Sequence, residues 1–164
     1  MQYEIQAKPT MYDGILFRSR LEARWAAMFS LLNIPYSYEP IDLSHWSPDF
    51  VVREYLIEVK PQVKLFLPEV IDKIERSVTT TENVFLLSEE LNSKEGIKNI
   101  YCIENHLPAH AEIFFHGKDG FQFRNIGDFG DLLHHKWKAK TFLDWWYLWN
   151  KAGNLTMYQP AKNG

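Results

Sequence analysis

The chain of 164 residues holds a single cysteine, Cys102. That excludes an internal disulfide and every zinc or iron–sulfur arrangement built from several cysteines, and it fits a reducing compartment. Long hydrophobic runs are equally scarce. The longest, such as Val84 to Leu87 and Ile113 to Phe115, fall far short of the ~20 residues that span a bilayer. Met1 to Thr10 carries Glu4, Lys8 and Pro9 where a secretory segment needs an apolar core. A cytoplasmic protein without membrane contact is the expectation. Positive charge is not in excess either: the formal net charge of −3 weighs against a protein that coats nucleic acid by bulk charge. Repeats, low-complexity tracts and linkers are absent.

The composition otherwise matches an ordinary globular domain, with 46% hydrophobic and 24% charged residues. The length suits one domain, residues 1–164. Phe17 to Leu32 carries Leu21, Trp25, Met28, Phe29 and Leu32 at helical spacing, with Ser19 near its start and Asn33 and Pro35 behind it. Tyr36 to Glu39 alternates as a short strand. Phe50 to Val52 and Tyr55 to Val59 are β-rich runs separated by Arg53 and Glu54, which predicts a tight hairpin closed by Pro61. Pro68 to Val78 has the helical spacing Val70, Ile71, Ile74, Val78, with Glu69 and Asp72 near the amino end. Asn83 to Ser88 reads as a buried central strand. Glu89 to Glu112 reads as irregular, with a short strand at Ile100 to Ile103. Asp119-Gly120 predicts a hairpin between Ile113 to His116 and Phe121 to Asn125. Asp131 to Lys151 reads as a long helix ended by Gly153. This order implies an α/β fold, a mixed β-sheet flanked by helices with an aromatic-rich helix near the carboxy terminus.

The chemistry concentrates on the first hairpin. Pro48-Asp49-Phe50 opens its first strand and Ile57-Glu58-Val59-Lys60 closes its second, so pairing brings those ends together. Alternation puts Glu58 and Lys60 on one face, which Asp49 reaches from the opposing strand. Two carboxylates and an ammonium then converge, and close carboxylates repel unless a cation lies between them. Hard oxygen ligands suit Mg²⁺ or Mn²⁺, which are completed by waters and phosphate oxygens. Such an ion polarises a phosphodiester and acidifies bound water, while Lys60 orients that water or offsets developing charge. Glu22, in Ser19-Arg20-Leu21-Glu22 on the first helix, is a third carboxylate that binds the ion or positions the lysine. The plain alternatives are a surface ion pair for the hairpin trio and a solvated Glu22 paired with Arg18 or Arg24.

These residues resemble the PD-(D/E)xK nuclease superfamily. Phe17-Arg18-Ser19-Arg20-Leu21-Glu22, Pro48-Asp49-Phe50 and Ile57-Glu58-Val59-Lys60-Pro61 look like its helix acid, metal-binding Asp and Glu-x-Lys strand, in the usual order. With Tyr38-Glu39-Pro40 the pattern is most similar to the endonuclease subunit of heteromeric transposases and small phage-encoded nucleases. The resemblance covers Tyr12 to about Ser88 and implies a restriction-endonuclease-like core over 12–88, with 89–164 as an unmatched extension packed on it. It implies Mg²⁺-dependent (or Mn²⁺-dependent) cleavage of DNA by an enzyme of phage or mobile-element origin. Glu22, Asp49, Glu58 and Lys60 take the catalytic roles, and Asp49, Glu58 and Glu22 those of metal ligands.

Charge along the chain is uneven. Residues 82–112 hold six Glu against two Lys, while 131–164 hold five Lys against two Asp. Phosphate contacts are therefore expected from Arg18, Arg20 and Arg24 on the first helix and from Lys136, Lys138 and Lys140 on the last. Phe142, Trp145, Trp146 and Trp149 cluster in that last helix. Core packing explains at least half of them, and a platform for bases or a partner protein explains the rest. Double-strand cleavage would need two active sites, so a homodimer or a larger protein assembly is a further expectation. A competing class is a non-catalytic module that keeps a nuclease fold and binds nucleic acid or a partner through the tryptophan helix.

Overall fold

The computed structural model describes residues 7–53, 55–61, 68–69, 72–73, 76–77, 84–88, 97–104, 107–115, 121–124 and 142–157. Two antiparallel strands come first, β1 (Thr10–Tyr12) and β2 (Ile15–Phe17), then helix α1 (Arg20–Leu31). Strands β3 (Ser37–Tyr38), β4 (Phe50–Val52), β5 (Tyr55–Val59) and β6 (Val84–Leu87) follow. Strands β7 (Ile97–Glu104), β8 (Leu107–Phe115), β9 (Phe121–Arg124) and helix α2 (Phe142–Leu155) complete the order. The fold is α/β, with a seven-stranded mixed sheet in the order β3-β4-β5-β6-β7-β8-β9 and a separate two-stranded sheet β1-β2. Only β5 and β6 run parallel, with Ile57 opposite Phe85. Parallel neighbours need a long crossover, and between them Pro68, Glu69, Asp72, Lys73, Arg76 and Ser77 are helical, as their spacing predicts. Lys73 pairs with Glu69 and Arg76 with Asp72, one turn apart.

The β4–β5 hairpin forms as expected, Phe50 facing Ile57 and Val52 facing Tyr55, with Arg53 at φ 54° in the turn. Phe17 belongs to β2 and not to the helix, because Asp13 and Gly14, both at positive φ (48° and 77°), close a hairpin before α1 starts. Ser19 caps α1, its hydroxyl accepting the Glu22 amide at 3.2 Å. Asn33 at φ 53° ends it, with Ile34 N–H on the Phe29 carbonyl at 2.8 Å and Asn33 N–H on that of Ser30. That is the pattern of a Schellman turn.

Two other expectations change. Residues 89–112 are not largely irregular: β7 and β8 pair there, and the strands after residue 88 extend the same sheet that carries β3 to β6. The late hairpin is present, with Ile113 opposite Phe123. The last helix runs through Gly153 to Leu155, and 131–141 lie outside the described residues. Gly153 is small for packing: a Cβ there would lie 3.0 Å from Arg24 Cζ. Among the described residues no helix is long and apolar enough to cross a membrane.

The core lies between α1 and one face of the sheet. Ala23, Trp25, Ala26, Ala27, Met28 and Phe29 are buried against Phe50, Val52, Ile57, Val59, Phe85 and Leu87. Rings of Phe17, Tyr38 and Phe50 stack in sequence, with centroids 4.4 Å and 5.4 Å apart. α2 docks on α1 through Trp149, whose ring lies 5.0 Å from that of Trp25 and joins the same core. Trp149 is thus a core residue, whereas Trp146 and Tyr147 are exposed.

Candidate active site

Four buried or half-buried groups meet at the end of the β4–β5 hairpin. The alternation that sends Phe50 and Ile57 into the core turns Glu58 to the opposite face. There Glu58 Oε1 lies 3.0 Å from Lys60 Nζ, and Trp46 Nε1 donates to Glu58 Oε2 at 2.8 Å. Asp49, in register just ahead of Phe50, is 2% exposed. Its Oδ2 accepts the Val59 amide at 2.7 Å and its Oδ1 accepts Arg18 Nη2 at 2.7 Å. Asp49 is therefore tied to both strands of the hairpin and to the segment that precedes α1.

Glu22 is buried but does not pair with Arg18 or Arg24. Its Oε1 accepts the Ser19 hydroxyl at 2.7 Å and its Oε2 accepts the Tyr38 hydroxyl at 2.6 Å. Ser19 at the cap with Glu22 three residues on is also a helix-capping arrangement, so this carboxylate serves the helix as well as the site. Tyr38 in turn accepts the Arg18 amide at 3.0 Å. Burial and the bond to Glu22 push the Tyr38 hydroxyl well above its usual range.

Electrostatics mark the cluster as short of positive charge. Burial, then the like charges of Glu58 and Glu22, push the Asp49 carboxyl up to about 8, against the Val59 amide and Lys60, which favour its ionised form. Burial acts to lower Lys60, but contact with Glu58 and the nearby Asp49 overrides it, so its net shift is upward and the ammonium stays charged at neutral pH.

The arginines of the expected phosphate face divide. Arg18 bridges Asp49 and Glu39, its Nε 2.7 Å from Glu39 Oε1. Arg20 reaches the Gly153 carbonyl at 3.4 Å. Arg24 gives two bonds to the Trp149 carbonyl, at 2.9 and 2.8 Å, and sits 4.0 Å from the Trp149 ring centroid. Its charge is spent on helix docking. Lys136, Lys138 and Lys140 lie outside the described residues.

The hairpin trio is thus assembled, and it is buried, unlike a surface ion pair. Among the described residues no group of three acids, histidines or cysteines is placed to hold a metal ion, and both Glu22 oxygens accept hydroxyls. Sequence reasoning missed Trp46 as the partner of Glu58, Tyr38 as the partner of Glu22, and Glu39 as a second anchor for Arg18. No periodicity points to Trp46, which lies in the loop before Asp49. For Tyr38 the signal was its alternation in β3, paired with Phe50 of β4. Comparison with protein-family models, curated proteins and solved structures finds no match to this chain.

Proposed function

We propose that the protein is a metal-dependent endonuclease that hydrolyses DNA phosphodiester bonds, on a core of the restriction-endonuclease-like kind. The observation that carries this reading is the buried convergence of Asp49 and Glu58 with the charged Lys60. Burial and mutual repulsion raise the Asp49 carboxyl, which is the condition a hard cation relieves. The donors fit Mg²⁺ or Mn²⁺, which need only one or two carboxylates with water and phosphate oxygens. Asp49 and Glu58 would hold the ion. When bound it polarises the scissile phosphate and lowers the pKa of water.

The remaining work falls to the chain itself. Lys60, held charged by Glu58, cannot take a proton from water. It donates hydrogen bonds to the attacking water or to the oxygens that gain charge as the new P–O bond forms and the ester bond breaks. Glu22, fixed by Ser19 and Tyr38, is a positioning residue. Arg18 is the cation placed to meet a phosphate oxygen, whereas Arg24 is not. Plasmid, linear, branched and single-stranded DNA incubated with Mg²⁺ or Mn²⁺ test this. The wild type is expected to cleave at least one substrate, and Lys60→Ala and Asp49→Asn to lose about 10²-fold or more in rate. Equal cleavage by all three, or none by the wild type, contradicts it.

A second reading is an association module without turnover. It is favoured by Trp146 and Tyr147, which are 51% and 64% exposed on α2 beside the buried Trp149. Paired Trp146→Ala and Tyr147→Ala substitutions that abolish self-association or DNA binding, in a protein with no metal-dependent cleavage, are its expected signature.

A further inference from the structure

We propose that Arg18 is a displaceable cation. In the free protein it occupies Asp49 Oδ1, and a phosphodiester that draws it away opens that oxygen to the divalent ion, so that nucleic acid and metal bind cooperatively. This rests on the reading of Asp49 as a metal ligand.

The geometry carries it in three steps. First, Asp49 has one oxygen to offer: Oδ2 is taken by the Val59 amide at 2.7 Å, and Oδ1 faces the Arg18 guanidinium at 2.7 Å. A hydrogen-bonded guanidinium and a divalent ion compete for one oxygen and repel each other. Second, the guanidinium can leave. Its side chain is 61% exposed while that of Asp49 is 3% exposed, so little packing is lost when it swings out. Its main chain stays fixed meanwhile by the Tyr38 hydroxyl and the helix cap at Ser19. Third, the destination matches. In the free protein Arg18 spans two separate carboxylates, Asp49 and Glu39, whose backbones are tied by the Glu39 amide on the Asp49 carbonyl at 2.9 Å. A planar fork that serves oxygens of two carboxyl groups here serves two oxygens of a phosphate equally well. Coupling between the two ligands is then reciprocal: what phosphate does for metal affinity, metal does for phosphate affinity.

The test is Mn²⁺ binding to the full chain, followed by electron paramagnetic resonance, with and without a non-cleavable phosphorothioate DNA duplex. Wild type is expected to bind Mn²⁺ about ten-fold more tightly with the duplex. Arg18→Ala is expected to bind Mn²⁺ about ten-fold more tightly than wild type without DNA, and to gain little when the duplex is added. Arg18→Gln keeps a polar, hydrogen-bonding side chain but removes the charge, and should repeat this result. Arg20→Ala removes the same charge two residues away without touching Asp49, and should match wild type in the absence of DNA. If both Arg18 variants bind Mn²⁺ as weakly as wild type while Asp49→Asn binds it less, the displacement is wrong and the metal site stands. If no variant and no wild-type sample binds Mn²⁺ under either condition, both fall.

Discussion

Arg24 lies over the Trp149 ring and gives two hydrogen bonds to the Trp149 carbonyl, closing α2 onto α1. Arg18, six residues earlier and ahead of the helix cap, is largely exposed and reaches between Asp49 and Glu39. The first has the Trp149 carbonyl as a partner and a packed ring beneath it. The second has two carboxylates and almost no packing. Residue type is the same at both positions, yet one arginine ties two helices together and the other faces the acidic cluster. The difference is in what the fold brings opposite: α2 to one, the β4 end to the other.

The comparison breaks most visibly at the scaffold end. Trp149→Ala removes a side chain that is 2% exposed, and is expected to cost about 3–5 kcal/mol, read as a fall in denaturation midpoint. Arg24→Ala loses two bonds from a charged donor and the ring contact, for about 1–3 kcal/mol. Mn²⁺ affinity of the folded fraction should stay unchanged in both. A change there would mean that the two ends are not separable.

At the other end, acidity provides the sharper test. Burial and the like charges of Glu58 and Glu22 raise the folded-state Asp49 carboxyl toward about 8 from 3.8 in an unfolded chain, while the ion pair with Arg18 works in the opposite direction. Asp49 therefore contributes stability that is present below pH 4 and declines as pH rises from there through 8. Asp49→Asn should flatten that decline, being more stable than wild type by about 1–2 kcal/mol at pH 8.5 and close to it or below at pH 4. Thermal melts in metal-free buffer across that range check it, and a wild type whose stability rises over the interval contradicts it. A comparably small effect is expected at Tyr38→Phe, which removes the hydrogen bond to Glu22 and the one accepted from the Arg18 amide, for about 1–2 kcal/mol, seen by denaturant titration.

Much of this was legible in the chain. The apolar spacing of Trp25, Met28 and Phe29 gave α1, and the Phe50 to Val52 and Tyr55 to Val59 runs gave the hairpin. Asp49, Glu58 and Lys60 came together because period-two alternation and a two-residue turn leave little freedom of register. The Asp13-Gly14 hairpin had its turn signal in plain view, but three-residue strands are too short to show alternation. The reading of Gly153 as a helix stop failed for another reason. A glycine signals small size as readily as a stop, and which applies depends on Arg24, more than a hundred positions away. Other long-range side-chain partners left no trace in spacing: Trp46 on Glu58 and Glu39 on Arg18 depend on how the chain crosses the sheet edge outside its strands.

Anomalous scattering from crystals grown with Mn²⁺ and a non-cleavable DNA duplex tests the central claim most directly. The expected result is a single peak bound by Asp49 and Glu58, with Lys60 Nζ nearby and the Arg18 guanidinium on a phosphate. A DNA complex with no peak at those two carboxylates, and with Arg18 still on Asp49, would contradict it.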